Sequence, residues 1–251
     1  MIHSFLLIGQ SNMAGRGVPG DVEPIQNPMI KVMRNGRWQG MYVPVNCDRP
    51  FSGVCLAESF ADAYAKEHEG VQVGLIPCAD GGTCLDQWAE GSILYDHAAY
   101  QAKLALRTSH IVGVLWHQGE GDCGSGKYPL YAEKFQKIMD GFRRDLDLQD
   151  VPFLLGGLGD FLGNCELDPA LKNYTYVNKA LQELAAQNDM TGFVSAEGLG
   201  AKPDNLHFNS KALREFGLRY YREFKKLEKK DRVFAEKPEA DAAIRNSMEL
   251  L

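Results

Sequence analysis

FLLIGQSNMAGRG, residues 5–17, decides how the rest of the chain is read. Its apolar run stops abruptly at Gly9-Gln10-Ser11-Asn12, and a glycine-rich segment follows. Continuous apolar character, rather than alternation, marks a strand covered on both faces. A serine where such a strand ends stands at the rim of a sheet, among groups that donate hydrogen bonds. Gly, Ser and Asn are also ordinary turn formers, so the stretch alone leaves a plain turn and a mounted nucleophile both open.

Working outward, the first run extends over 2–8, and four more share its pattern: VQVGLIP (71–77), IVGVLWH (111–117), VPFLLGG (151–157) and TGFVSA (191–196). Helical periodicity fills the intervals. In 128–146 the residues Tyr131, Phe135, Ile138 and Phe142 fall on one face, and similar stripes run through 56–68, 94–106 and 176–187. A last helix is expected from Ser210, as N-cap, to about Lys229. Strands alternating with helices predict an α/β fold with a five-stranded parallel sheet covered on both sides. No repeat, low-complexity tract or linker interrupts it. One domain over 1–251 is therefore expected, with a charged tail at about 231–251 that is peripheral or serves assembly.

The chain has 251 residues, long enough to bury a core without a disulfide or metal staple. Its formal charge of −6 argues against a phosphate-binding surface and hence against a nucleic-acid partner. No apolar run reaches the length of a membrane span. The six cysteines form no CxxC and no zinc-ligand spacing, so no metal is expected. Without a basic, apolar leader at the given start, reduced thiols and a cytoplasmic location are expected, or secretion if the native start was removed. Gly15-Arg16-Gly17 lacks the GKS/GKT ending of a P-loop, and GQSNMAG does not fit the G-x-S-x-G elbow.

Polar motifs follow the ends of the expected strands: Ser11, then CADGGTCLDQW (78–88), HQGEGD (117–122) and KPDNLHFNS (202–210). In a doubly wound sheet that edge is where ligands bind. Acyl transfer by serine needs a nucleophile, a base, a group orienting the base, and oxyanion donors. Asp204 and His207, three apart, let a carboxylate reach Nδ1 and leave Nε2 free as base, with Ser11 supplying Oγ. The N–H groups of Ser11 and of Gly81 or Gly82, with the Gln118 amide, are the expected oxyanion donors. His117, ending a buried strand, reads as structural. Singly each residue reads as turn, cap or packing; their joint placement favours a site.

These blocks also carry a resemblance. GQSNMAGRG (9–17), PCADGGT (77–83), WHQGE (116–120) and DNLHF (204–208), with CDRPFSGVCLAESFA (47–61), resemble the SGNH hydrolases. Within them they are similar to the carbohydrate esterase family 6 branch, grouped with sialate O-acetylesterase-like proteins and acetylxylan esterases. The likeness runs over roughly 2–225. It implies a flavodoxin-like three-layer α/β/α sandwich that removes O-acetyl groups from sugars, such as xylo-oligosaccharides or sialic acid, without metal or cofactor. It implies Ser11 as nucleophile, His207 as base, Asp204 as its partner, and Glu120 as a second carboxylate ranked below Asp204. Gln118 stands where the wider superfamily usually has Asn. Gln10, Asn12, Asp86 and Trp88 are expected to bind the acetylated carbohydrate. Only one glycine survives after Arg49-Pro50, a departure that bears on the pocket wall. An esterase or thioesterase of other acyl donors, a silent sugar-binding scaffold, and a homo-oligomer stay open.

Overall fold

The computed structural model describes residues 1–229 and 232–237. Its centre is a seven-stranded sheet of order β3-β2-β4-β1-β5-β6-β7. Five strands are the expected ones: β1 (Ile2–Gly9), β4 (Gln72–Pro77), β5 (His110–His117), β6 (Phe153–Gly156) and β7 (Thr191–Val194), all parallel to their neighbours. Two more correct the count. β2 (Ile30–Arg34) pairs parallel with β4, and β3 (Arg37–Gly40) returns antiparallel along the edge. Asn35 and Gly36 join them, both left-handed (φ 51° and 73°), as a two-residue hairpin between right-twisting strands requires.

Helices cover both faces. α2 (Leu56–Glu67) and α6 (Ser210–Leu227) pack together on one, and α3 (Ile93–Leu106), α4 (Tyr131–Leu146) and α5 (Tyr174–Gln187) line the other. The two-residue period of β1 feeds both layers: Phe5 and Leu7 join the core with Phe60 and Phe216, while Leu6 and Ile8 join Trp116 and Phe135. The three-layer sandwich expected from the sequence is thus the observed fold. The last helix begins at Ser210 as expected, but its cap is Asn209, whose side chain accepts the Ala212 N–H. Of the charged tail, 232–237 lies against the sheet's amino edge, where Phe234 packs on His3 and His110. The remainder of that tail falls outside the described residues.

β1 lies between β4 and β5, where successive strands begin to add on the opposite side. That switch point opens a crevice at the carboxyl edge. Asp80 N–H donates to the Gly9 carbonyl and Gln10 N–H to the His117 carbonyl, so the end of β1 is stitched to both neighbours. Gly9 has φ 130°, and a Cβ there would lie 2.1 Å from the His117 oxygen; only glycine fits.

Candidate active site

Ser11 opens a single helical turn, α1 (Ser11–Ala14), directly after β1. As its first residue, its N–H lies before any intrahelical acceptor, and among the described residues it has none elsewhere. The serine is 6% exposed. His207 reaches it from the loop before α6, with Nε2 3.1 Å from Ser11 Oγ. Behind the ring, His207 Nδ1 lies 2.8 Å from Asp204 Oδ2. The other carboxylate oxygen accepts the N–H groups of Leu206 and His207, at 2.9 and 3.0 Å. Burial would raise the Asp204 carboxyl; the bonds from the His207 ring and those two N–H groups outweigh it and hold it below the usual range. An ionised Asp204 fixes the proton on Nδ1 and leaves Nε2 as an acceptor toward Ser11. The structure brings together Ser11, His207 and Asp204 at hydrogen-bonding distance, across 196 residues of chain.

The two glycines divide. Gly81 donates its N–H to Asp48 Oδ2 at 2.8 Å, whereas Gly82 has no acceptor among the described residues. A Cβ on Gly81 would lie 2.4 Å from Arg16 Nη2 and 3.4 Å from Ser11 Cβ, so this wall requires glycine. Asp48 is held in turn by Arg16 in a two-pronged pair (3.0 and 2.6 Å), both side chains 3% exposed. Burial pushes Asp48 up, but Arg16, Ser52 and the Gly81 N–H together bring it below its ordinary value. Arg16 and Asp48 were not singled out from the sequence, though both lie within the quoted blocks. Their opposite charges gave no sign that 32 residues apart meant contact.

Gln118 has no free donor to offer. It is fully buried, and its amide protons go to Asp122 Oδ2 (2.6 Å) and the Thr83 carbonyl (3.1 Å), while Tyr131 donates to its Oε1. Both protons are spent, so as placed it has none for an oxyanion. Gln10 has the opposite arrangement. Its Oε1 accepts from the N–H groups of Gly119 and Gly121, each 3.3 Å, which turns its NH2 away from them. That nitrogen has no protein acceptor among the described residues and is not enclosed.

Three other expectations change. Trp88 is fully buried, donates to Thr83 Oγ1 and packs edge-on against Trp116; it is a core anchor, not a sugar-stacking face. Asn12 is 1% exposed with its amide consumed inside the protein, so it offers nothing to a sugar. Glu120 does not support the histidine directly, because both ring nitrogens of His207 are taken by Asp204 and Ser11; it bonds Asn12 instead. Asp86 is exposed and pairs with Lys134. His117 is fully buried and bonds the Gly157 carbonyl; burial holds it below the ordinary imidazole value, against the pull of Glu120 and that carbonyl. Among the described residues no group of three His, Cys, Asp or Glu is placed to hold a metal ion.

Comparison with known proteins gives the family. The family model for "carbohydrate esterase, sialic acid-specific acetylesterase" matches residues 1–226. The chain is 28% identical over 238 residues to a probable carbohydrate esterase of Arabidopsis thaliana, At4g34215, covering 85% of this chain and 86% of that one. The X-ray structure of that protein matches with a TM-score of 0.79 at 27% identity, over 89% of this chain and 98% of its own. NanS shares the fold at a TM-score of 0.71 and 18% identity, over 90% of this chain and 97% of its own. The chain belongs to the sialic acid-specific acetylesterase family of carbohydrate esterases, and so to the carboxylic ester hydrolases.

Proposed function

We propose that the protein removes O-acetyl groups from a carbohydrate through a covalent acetyl-serine. The observation that carries this is the unbroken chain Asp204–His207–Ser11 at 2.8 and 3.1 Å. His207 Nε2 takes the hydroxyl proton as Ser11 Oγ attacks the acetyl carbonyl, and Asp204 stabilises the imidazolium that results. The negative oxygen is met by the N–H groups of Ser11 and Gly82 and by the Gln10 amide, donors with no acceptor of their own among the described residues. His207 returns its proton to the departing sugar hydroxyl. Water then repeats the sequence and releases acetate, with no step assigned to a metal.

The experiment is acetate release by wild type and Ser11→Ala, with acetylated xylo-oligosaccharides and an O-acetylated sialic acid side by side. Release that depends on Ser11 is expected from one of them. Equal release by the two proteins would refute the serine route. A rate rising with acyl-chain length would move the substrate class to longer acyl esters.

A further inference from the structure

We propose that Asn12 is a positioning residue that clamps the backbone on both sides of His207, and that Glu120 acts on catalysis only through it. This rests on Ser11 and His207 being nucleophile and base. The Asn12 amide spans the histidine: Nδ2 donates to the Leu206 carbonyl at 3.2 Å, and Oδ1 accepts the Phe208 N–H at 3.1 Å. Its second proton goes to Glu120 Oε1 at 2.6 Å. The residue next to the nucleophile thereby holds the residues on either side of the base, 194 and 196 positions away. Because Asn12 sits in the same helical turn as Ser11, the clamp ties the two reacting side chains into one rigid unit.

Glu120 supplies what the clamp lacks by itself. An amide can turn end for end at little cost in shape, exchanging oxygen for nitrogen. Turned around here, Asn12 would set its oxygen against both a carboxylate and the Leu206 carbonyl, and its NH2 against the Phe208 N–H. Glu120 Oε1 places an acceptor 2.6 Å from the Asn12 nitrogen, so Glu120 selects the one orientation that grips the loop. The carboxylate is kept at a cost. Its side chain is 4% exposed, and among the described residues neither Oε2 nor His117 Nδ1, which lies 4.0 Å from Oε1, has a partner. A buried acid whose one close bond is to Asn12, with no ring nitrogen of His207 left for it, acts as a lock on the clamp and not as a second acid.

The test reads the rate at which an organophosphonate traps Ser11, with the final labelled fraction, in wild type, Asn12→Ala, Glu120→Gln and the double variant. Trapping needs the Ser11–His207 contact but no knowledge of the sugar. Misplacing a base by about 1 Å costs about 100-fold, the fall expected for Asn12→Ala. Glu120→Gln puts an amide that can itself turn end for end where the carboxyl oxygen accepts, and about a tenfold fall is expected. The double variant should be no slower than Asn12→Ala within about twofold, as for two residues acting in series. Every variant should still label completely, since displaced groups react slowly whereas unfolded protein does not react.

The proposal is overturned if Glu120→Gln slows the Asn12→Ala protein by its full factor, if Asn12→Ala reacts at the wild-type rate, or if labelled fraction falls in place of rate. Wild type that is trapped yet releases no acetate would sink the acetyl-sugar reading alone, while the same rates decide the clamp. Wild type that is not trapped at all overturns both.

Discussion

Exchanging the two glutamines separates chemistry from stability in opposite directions. Gln118→Ala removes a fully buried amide that serves Asp122, the Thr83 carbonyl and the Tyr131 hydroxyl. Asp122, already pushed up by burial, would keep only its bond from the Leu85 N–H. Losing a bond to a charged group and stranding a buried carbonyl costs about 3 kcal/mol or more. For a chain of this size that is a fall of roughly 6–12 °C in Tm. Gln10→Glu keeps the oxygen that accepts from Gly119 and Gly121 but puts a negative oxygen where the free NH2 stands. Losing one oxyanion donor lowers kcat by about 10²–10³. Differential scanning fluorimetry and initial acetate-release rates at 25 °C, where both variants are folded, give both quantities. The expected pattern is Gln118→Ala unstable yet active, and Gln10→Glu stable yet slow. A Gln118→Ala protein that melts like wild type but turns over 100-fold more slowly would refute the placement of both side chains.

Three further outcomes follow from other parts of the molecule. Asp86→Ala should leave acetate release unchanged and shift stability by under about 0.5 kcal/mol, since its pair with Lys134 is exposed; a kcat/KM loss above threefold would support the substrate role expected of Asp86 from the sequence. Gly217→Ala should destabilise by about 1–3 kcal/mol or more, because its Cβ would meet the Leu56 carbonyl at 2.1 Å where α6 crosses α2; an unchanged Tm would contradict that close approach. His3 is lowered to about 4 by burial and by the positive groups His68, His110, the amino terminus and Arg232. Unfolding lets it bind a proton, so stability should fall as pH drops from 6.5 toward 4, by about 3 kcal/mol in wild type relative to His3→Gln. Parallel urea-denaturation curves for the two proteins across that window would remove His3 as the cause.

The parallel strands could be read because each is buried on both faces and so has no polar positions to break its run. The β2–β3 pair could not be read that way. β3 is an edge strand carrying Arg37 and Gln39, its apolar signal is short, and only Asn35-Gly36 announced it. Asp204 and His207 were legible because the bond between them is local, three residues apart. The roles of Gln10, Gln118, Asn12 and Glu120 were not. Two glutamines follow adjacent strands, and which amide keeps a free NH2 depends on partners distant in sequence for Gln10 and on Thr83 and Asp122 for Gln118. Glu120 sits near His117 in sequence, yet its close bond is to Asn12, 108 residues off. Trp88 was assigned to a pocket because aromatic size alone does not say which way a side chain turns.

The span of the Ser11–His207 contact also bears on how the protein is made. Ser11 follows β1 directly, and His207 lies only a few residues before α6. Contacts so distant in sequence carry the largest loop-closure cost and form late. A nascent chain can therefore build β1, β4 and β5 around the serine while the hydroxyl still lacks its base. On the proposed serine route, hydrolysis begins only when α6 docks against α2 and carries the 204–208 loop down onto α1. Onset of turnover by that route thus reports the docking of α6, and a chain truncated before that loop stays silent however well its sheet is formed.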